Sequence, residues 1–218
     1  MIIITKENLL SVIQPYLSKS PQILEAGAFN GKDTYAMAQF WPEATIYAFE
    51  PVPEIFATLC MQTQQCANVH CYPLALSNRN GVATFYNAQY IHKPNKLCPA
   101  GSLLAPKERL LHSSIIYPKT SSVPTITLDD WALGNSIERL DFIWLDLQGH
   151  ELAVLQAGTQ ILKSVTLLYL EVNFIEAYYE QPHAQTIKEW LETQGFYAIA
   201  QDFADEKKFF GNILFKKQ

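Results

Sequence analysis

The sequence predicts an α/β fold in which a mostly parallel sheet carries helices on both faces. Short apolar segments alternate with helical segments along most of the chain, which is the pattern of successive βαβ units. Residues 165–172 are continuously apolar, as expected for a strand that is covered on both faces. A glycine turn at residues 27–31 follows the first strand, at the sheet edge where α/β proteins bind ligands.

The composition is that of one globular domain with a substantial core. The chain has 218 residues, 49% of them apolar and 17% charged, and separate cores usually form only beyond about 250 residues. We therefore expect a single domain over residues 1–218. The net charge of -5 argues against nucleic acid or an anionic membrane as a partner.

The sequence also bears on location. The first apolar run ends at Lys6, too early for a signal peptide, and no apolar run approaches the roughly 18 residues of a membrane span. The four cysteines match neither a zinc-site spacing nor a dense disulfide framework, which favours reduced thiols. The expected location is the cytoplasm.

Helix and strand patterns follow one another in the first half of the chain. Apolar residues at helical spacing after Thr5 predict an N-terminal helix within residues 1–21. Further strands are expected at residues 22–26, 45–49, 69–74 and 82–86, and helices at residues 33–40 and 53–64. Residues 77–81 have the composition of a turn.

Residues 87–124 interrupt this regularity with prolines and a polar cluster around Ser121. A stretch of this length without periodicity often forms a lid, so we expect an irregular insertion that acts as a substrate loop. Regular elements then return. Strands are expected at residues 123–128, 142–147, 165–172, 196–200 and 209–215, and helices at residues 129–133, 151–162 and 186–194.

The turn after the first strand carries an acid and two glycines. A dinucleotide fingerprint needs glycine at the middle position, which is Phe29 here, so a pyrophosphate is disfavoured. Glu25 adds repulsion to a diphosphate but attraction to an ammonium or sulfonium ligand such as S-adenosylmethionine. Glu50, at the end of the second strand, can accept hydrogen bonds from ribose hydroxyls, a feature that NAD and S-adenosylmethionine share.

These blocks together resemble the FkbM family of S-adenosylmethionine-dependent methyltransferases. The resemblance rests on EAGAFNGKDT at residues 25–34, AFEPVP at residues 48–53, and ALSN at residues 75–78 with Gly81 and Phe85. TLDD at residues 127–130 leads to DLQG at residues 146–149, then Glu151, Val154, Leu155 and Gly158. The blocks span roughly residues 23–172, in the family's order.

The resemblance implies a Rossmann-like class I methyltransferase fold with a seven-stranded sheet, in which residues 209–215 supply the one antiparallel strand. It implies S-adenosylmethionine as cofactor and S-adenosylhomocysteine as product. Glu25 would lie by the methionine ammonium, Glu50 on the ribose, and Asp146 at the reactive methyl. The cofactor-binding residues would be Glu25, Gly27, Ala28, Phe29, Asn30, Gly31, Thr34, Glu50, Pro51, Leu76, Ser77 and Asp146.

The catalytic candidates are His150, Asp146 and Glu171. His150 is the first candidate for a general base because histidine titrates near neutrality, and Glu171, at the end of a strand, is the second. Gln148 departs from the family, which usually has an acid there, and an amide does not take up protons. A carboxylate role at this position, as a base or a metal ligand, is therefore in doubt.

Other residues near the sheet edge have simpler explanations. Asp129 and Asp130 precede a short helix and are explained by helix capping, so we expect no metal. Tyr178 and Tyr179 follow the strand at residues 165–172 and are candidates for an aromatic wall beside the acceptor.

Three functions remain open. The family implies O-methylation of a hydroxyl on a small molecule or sugar. The alternatives are a non-catalytic binding module that keeps the cofactor pocket and a nicotinamide-dependent oxidoreductase, against which Glu25 and Phe29 argue. Binding of S-adenosylhomocysteine without turnover would favour the first alternative, and binding of a nicotinamide would favour the second.

Overall fold

The structure is a computed structural model that describes residues 2–204 and 209–218; Met1, at the start of the expected N-terminal helix, and residues 205–208 lie outside it. The strands are β1 (Ile2–Ile3), β2 (Gln22–Ala26), β3 (Thr45–Phe49), β4 (Val69–Tyr72), β5 (Ala75–Leu76), β6 (Gly81–Tyr90), β7 (Ile115–Ile126), β8 (Phe142–Leu145), β9 (Leu167–Asn173), β10 (Phe196–Gln201) and β11 (Phe210–Lys217). The helices are α1 (Leu9–Ile13), α2 (Lys32–Phe40), α3 (Pro53–Thr63), α4 (Arg109–His112), α5 (Leu128–Gly134), α6 (Glu151–Gln156) and α7 (Ala184–Thr193).

The main sheet has the order β1-β10-β11-β9-β8-β2-β3-β4. β11 runs antiparallel to β9 and β10, and the other neighbouring pairs are parallel. The expected mostly parallel α/β sheet is confirmed. The strand count is a correction: over the described ranges this sheet has eight strands instead of seven, because Ile2 and Ile3 pair with Ala200 and Gln201 at its edge.

Side chains of the central strands alternate between two cores, one on each face of the sheet. Ile23 and Ile46 pack with Ile13 of α1 on one face, and Leu24 packs with Trp131 of α5 on the other. All five side chains are almost completely buried. This period of two, with helices covering both faces, explains why the strands are apolar at nearly every position.

The insertion expected at residues 87–124 is irregular only in its middle part. β6 and β7 form a long antiparallel hairpin, and β5 pairs with the end of β7, so these strands make a second sheet in the order β5-β7-β6. Residues 91–114 form the connection and contain α4. Part of the expected loop is therefore strand.

Two helices are shorter than the apolar spacing predicts. Within residues 1–21, α1 covers five residues and is followed by a 3-10 turn at Gln14–Tyr16. Within residues 151–162, α6 ends at Gln156, and a 3-10 turn follows at Ile161–Lys163. Over the described residues, none of the helices has the length and apolar character needed to cross a bilayer.

Candidate functional site

The turn after β2 lies where the sheet order reverses, between β3 and β8. Gly27 has a φ of +84° there, and a Cβ at this residue would lie 2.0 Å from the backbone oxygen of Asp146. The nitrogens of Gly27 and Ala28 donate to the Phe49 carbonyl at 3.2 and 3.0 Å. Only glycine fits this close approach of two strand ends, which leaves the turn open toward the edge of the sheet.

The Glu50 carboxylate is fixed at the end of β3. Its Oε1 accepts a hydrogen bond from the Val52 nitrogen at 2.9 Å, and the backbone of Phe29 donates to it as well. Glu50 is 5% exposed, and burial raises its pKa to about 7, against the effect of these two donors. The side chain is therefore ordered by the turns on both sides of it.

A cavity of about 670 Å³ opens above this edge of the sheet. We call it the main cavity. Among the residues proposed from the sequence, those that line it are Gly27, Ala28, Phe29, Asn30, Glu50, Pro51, Leu76, Asp146 and His150. Glu25, Gly31, Thr34, Ser77 and Glu171 are not in its wall. The first four each neighbour a lining residue in the sequence, and Glu171 is linked to Asp146 through the Gln148 amide. The structure thus brings most of the expected cofactor residues around one space.

Glu25 lies behind the glycine turn. It is 4% exposed, and its Oε2 accepts a hydrogen bond from the Thr34 hydroxyl at 2.5 Å. Burial raises the pKa of Glu25 to about 8. Glu25 lines a second cavity of about 140 Å³, which shares Gly27 and Asp146 with the main cavity. We call this second space the polar annex.

His150 lies between β8 and α6 and contacts Ser77, the residue that follows β5. Its Nε2 lies 3.1 Å from the Ser77 hydroxyl oxygen, and the ring lines the main cavity. Burial lowers the pKa of His150 to about 4. The imidazole is therefore neutral at neutral pH, which is the form of a proton acceptor, but its basicity is weak.

Asp146 and Glu171 meet at a shared amide. Nε2 of Gln148 donates to Asp146 Oδ1 at 2.7 Å and also to Glu171 Oε2. Oε1 of the same amide accepts from the Tyr178 hydroxyl at 2.8 Å, which fixes the amide orientation. Burial and the adjacent Asp146 raise the pKa of Glu171 well above its usual range. This shift favours the protonated form of Glu171, and Glu171 stays a prediction as the second candidate for a base.

The insertion reaches this cluster. Tyr178 is fully buried, and its hydroxyl lies 3.0 Å from that of Tyr117 on β7. The Tyr117 hydroxyl donates to the Ala100 carbonyl at 2.9 Å. Tyr179, by contrast, is 52% exposed, and neither tyrosine lines the main cavity. The prediction that this pair forms an aromatic wall beside the acceptor is wrong. Tyr178 instead donates a hydrogen bond to the Gln148 amide.

The outer wall of the main cavity comes from the hairpin and its connection, through Phe85, Asn87, Gln89, residues 94–99 and Lys119. Sequence reasoning identified the insertion but not these side chains. The one available indication was the alternating pattern of β6, which continues through Asn87 and Gln89 on one face. Over the residues that the structure describes, no group of three or more His, Cys, Asp or Glu could hold a metal ion.

Comparisons with known proteins give the family of the chain. The model of the methyltransferase FkbM domain matches residues 25–197. The chain is 29% identical, over 182 residues, to the 2-O-methyltransferase NoeI of Sinorhizobium fredii, covering 83% of this chain and 74% of the relative.

Solved structures share the fold at low identity. An rRNA methylase from Streptococcus thermophilus has a TM-score of 0.55 at 13% identity and is covered over 98% of its length by all of this chain. TrmK from M. capricolum, solved with S-adenosyl-homocysteine, has a TM-score of 0.54 at 7% identity, with 99% of this chain and 70% of that chain covered. Because the family model matches well over half of the chain, this protein is a methyltransferase that belongs to the FkbM family.

Proposed function

We propose that this methyltransferase transfers a methyl group from S-adenosylmethionine to a hydroxyl oxygen of a small molecule or sugar. The observation that carries the proposal is the main cavity, around which the glycine turn, Glu50 and Asp146 converge. The name of the relative, a 2-O-methyltransferase, supports an oxygen acceptor. The acidic net charge of -5 favours a small acceptor over a polyanion.

The residues present fit the proposed cofactor. The space kept open by Gly27, which a Cβ would fill, admits a ligand close to the backbone of the turn. Glu50 offers carboxylate oxygens to the two hydroxyls of a ribose. Leu76 gives an apolar contact for a purine ring, and Asp146 places a carboxylate where a sulfonium or ammonium group would need one.

When bound, S-adenosylmethionine supplies an electrophilic methyl group, which the acceptor oxygen takes in line as the carbon–sulfur bond breaks and the sulfur keeps the electron pair. The chain's part is to hold the acceptor oxygen about 3 Å from the methyl and to exclude water. His150 lines the cavity in its neutral form and is the candidate to receive the hydroxyl proton. With a pKa of about 4, His150 is a weak base. It would take the proton only after the oxygen has begun to bond the methyl carbon and carries positive charge.

The acceptor side of the cavity suits a carbohydrate. Asn87 and Gln89 donate through their amide nitrogens, to the Ser121 hydroxyl at 3.0 Å and the Pro94 carbonyl at 3.2 Å. Their amide oxygens have no donor among the described contacts and can accept from sugar hydroxyls. Phe85 adds an aromatic side chain to the same wall. A sugar has polar edges and an apolar face, and the two amides and the aromatic ring can contact these respectively.

The test begins with calorimetric titration of the purified protein with S-adenosylhomocysteine, with NAD as the control ligand. We expect micromolar binding of the first and none of the second. A screen of hydroxyl acceptors with methyl-labelled S-adenosylmethionine then follows, and His150→Gln should lower turnover while leaving cofactor affinity within about twofold. Binding without transfer to any acceptor would favour a binding module, and binding of NAD alone would contradict the proposal.

A further inference from the structure

The charges around the main cavity are divided between its two sides. The acids in its wall all belong to the βα units of the main sheet, and they are Asp33, Glu50, Glu54 and Asp146. The β6–β7 hairpin and its connection contribute another part of the wall, within residues 85–119, which we call the hairpin wall. Over the described residues, the hairpin wall contains two lysines, Lys96 and Lys119, and no acid. The side of the cavity nearer the glycine turn is therefore acidic, and the opposite side is basic.

The composition of the hairpin and its connection has the same bias. Residues 81–126, from the start of β6 to the end of β7, contain five lysines and arginines and a single acid, Glu108. Glu108 does not line the main cavity. The chain as a whole has a net charge of -5. A basic wall in an acidic chain attracts an anionic ligand to the cavity, while the rest of the surface repels it.

Lys119 lies beside Asn87, one of the two amides proposed to contact the acceptor. The two residues are directly opposite each other in the pairing of β6 with β7, so their side chains leave the same face of the hairpin. Both line the main cavity. Lys119 is exposed, and over residues 2–204 and 209–218 its ammonium group forms no ion pair. This group is therefore available to a ligand.

Lys96 lies beside the second amide. Gln89 donates through Nε2 to the Pro94 carbonyl at 3.2 Å, and the Lys96 nitrogen closes a turn around that proline by donating to the Lys93 carbonyl at 3.0 Å. The Lys96 ammonium group lies 5.6 Å from the centroid of the Tyr90 ring, a cation–π contact that holds it near the end of β6. Within the described ranges it, too, has no acid as a partner.

We propose that the methyl acceptor is an acidic sugar, whose carboxylate or phosphate group is bound by Lys96 and Lys119 while Asn87 and Gln89 accept from its hydroxyls. The inference rests on the proposed function, because it takes the ligand of the hairpin wall to be the acceptor. Lysine binds carboxylate and phosphate alike, as a point charge. The two lysines therefore select for negative charge, and the two amides select for hydroxyl groups.

Matched sets of hexoses test the proposal. Glucose, galactose and mannose would each be compared with the corresponding uronic acid and 6-phosphate, by calorimetry on the chain saturated with S-adenosylhomocysteine. The variants are Lys96→Met, Lys119→Met and Lys119→Arg. Lys93→Met is the matched control, because Lys93 is exposed in the same connection but does not line the main cavity.

We expect the uronic acid or the 6-phosphate of at least one series to bind about tenfold more tightly than the neutral hexose, the scale of one charge-assisted hydrogen bond. Which of the two binds identifies the acid group. Lys96→Met and Lys119→Met should each weaken binding of that acid about threefold to tenfold, and Lys119→Arg should restore most of the loss. Binding of S-adenosylhomocysteine should stay within about twofold in every variant.

Salt provides a second measurement, which a merely structural role of the lysines would not affect. At an ionic strength of about 1 M the Debye length is about 3 Å, so most of the preference for the acid should disappear. Lys93→Met should bind the acid as the wild-type chain does. An equal loss in Lys93→Met and Lys119→Met would assign the preference to the general field of the connection and overturn the role of the two lysines.

The remaining outcomes separate this inference from the proposed function. If the chain binds S-adenosylhomocysteine but binds none of the acids, or binds them no better than the neutral hexoses, the inference is overturned and the cofactor assignment stands. An affinity for the acid that neither Lys96→Met nor Lys119→Met changes would overturn it as well. Failure of the wild-type chain to bind S-adenosylhomocysteine would overturn the proposed function, and this inference with it.

Discussion

Glu50 shows how a single side chain is prepared for its ligand by the backbone around it. Donors from Val52 and Phe29 fix the carboxylate, so little ordering remains when a ribose arrives. We expect Glu50→Ala to weaken S-adenosylhomocysteine binding tenfold to a hundredfold, about 1.4 to 3 kcal/mol, because hydrogen bonds to a buried carboxylate are lost. Calorimetry measures this directly, with exposed Glu43→Ala as the control. An unchanged affinity would remove Glu50 from the site.

Gln148 shows how one amide can join two carboxyl groups in a buried network. Its nitrogen donates to Asp146 and Glu171, and its oxygen accepts from Tyr178. Gln148→Glu would replace the donor with a third carboxyl group. We expect the free energy of unfolding to fall by about 3 kcal/mol at pH 8, as when a buried polar network is broken, and by less at pH 5, where the added group is protonated.

Urea denaturation of the two proteins at both pH values measures this effect. Gln160→Glu is a suitable control, because exposed Gln160 already faces Lys163 at 2.6 Å, and its free energy of unfolding should change by less than about 0.5 kcal/mol. Equal stability of Gln148→Glu and the wild-type chain at pH 8 would show that a carboxylate is tolerated between Asp146 and Glu171.

At the scale of elements, the connection between β6 and β7 has one part that is bonded to the chain after β9 and another part that is exposed. The nitrogens of residues 107–109 donate to the carbonyls of Ala177 and Glu176 in the chain after β9, and the Ala105 carbonyl accepts from the Tyr179 nitrogen. Residues 91–97 are all exposed, and residues 94–97 also line the main cavity. A segment of this kind is the natural place for the cavity to open.

Limited proteolysis tests whether the ligand closes this segment. Trypsin should cut first after Lys96, because Lys93 precedes a proline, and the products would be residues 1–96 and 97–218. Saturating S-adenosylhomocysteine should slow the cut about fivefold or more by holding residues 94–97 over the cavity. Lys96→Gln should remove this cut. The same cleavage rate with and without the ligand would contradict a closing role.

The βα units at the start of the sheet could be predicted from the sequence because their patterns are local. The strands at Gln22–Ala26 and Thr45–Phe49 have the bounds that their apolar periodicity indicates. β7 could not be predicted in full from the sequence, because it contains Pro118 and Pro124, and proline within a segment argues against a strand. Pro118 lies by an irregularity in the pairing with β6, and β5 pairs only with Thr125 and Ile126, so β7 tolerates residues that lack an N–H.

The residues of the candidate site, too, could be predicted only in part from the sequence. Glu25 lies near the end of β2, and Gly27 and Glu50 directly follow β2 and β3, so their neighbourhood could be predicted from motif spacing. The support for Gln148 could not, because Tyr178 lies 30 residues further along the chain and bonds Ala100, 78 residues before it. Contacts between the insertion and the loop after β9 exist only in the folded chain, and no local pattern indicates them.

At the scale of the whole molecule, buried acids determine how stability depends on pH. Burial raises the pKa of Glu25 to about 8 and the pKa values of Glu50 and Glu151 to about 7. In the unfolded chain these groups ionise near 4.5. The folded state therefore binds more protons between about pH 4.5 and 8, and the stability that this gives is lost as the pH rises through the folded pKa values.

His150 acts in the opposite sense in a lower window. Its pKa falls from 6.5 to about 4, so the unfolded state binds the extra proton there, and this contribution to stability is lost on acidification below pH 6.5. From pH 6.5 upward the acids make the larger contribution. We expect the free energy of unfolding to be at least about 3 kcal/mol lower at pH 8.5 than at pH 6.5, at about 1.4 kcal/mol per unit of pKa difference.

Urea denaturation at pH 6.5 and 8.5 measures this loss, and Glu25→Gln identifies its main source. The amide cannot ionise but can still accept from the Thr34 hydroxyl, so the variant should lose most of the pH dependence while folding normally at pH 6.5. A wild-type chain that is as stable at pH 8.5 as at pH 6.5 would show that these acids are ionised in the folded state. The glycine turn would then carry a full negative charge at Glu25 before any ammonium group binds.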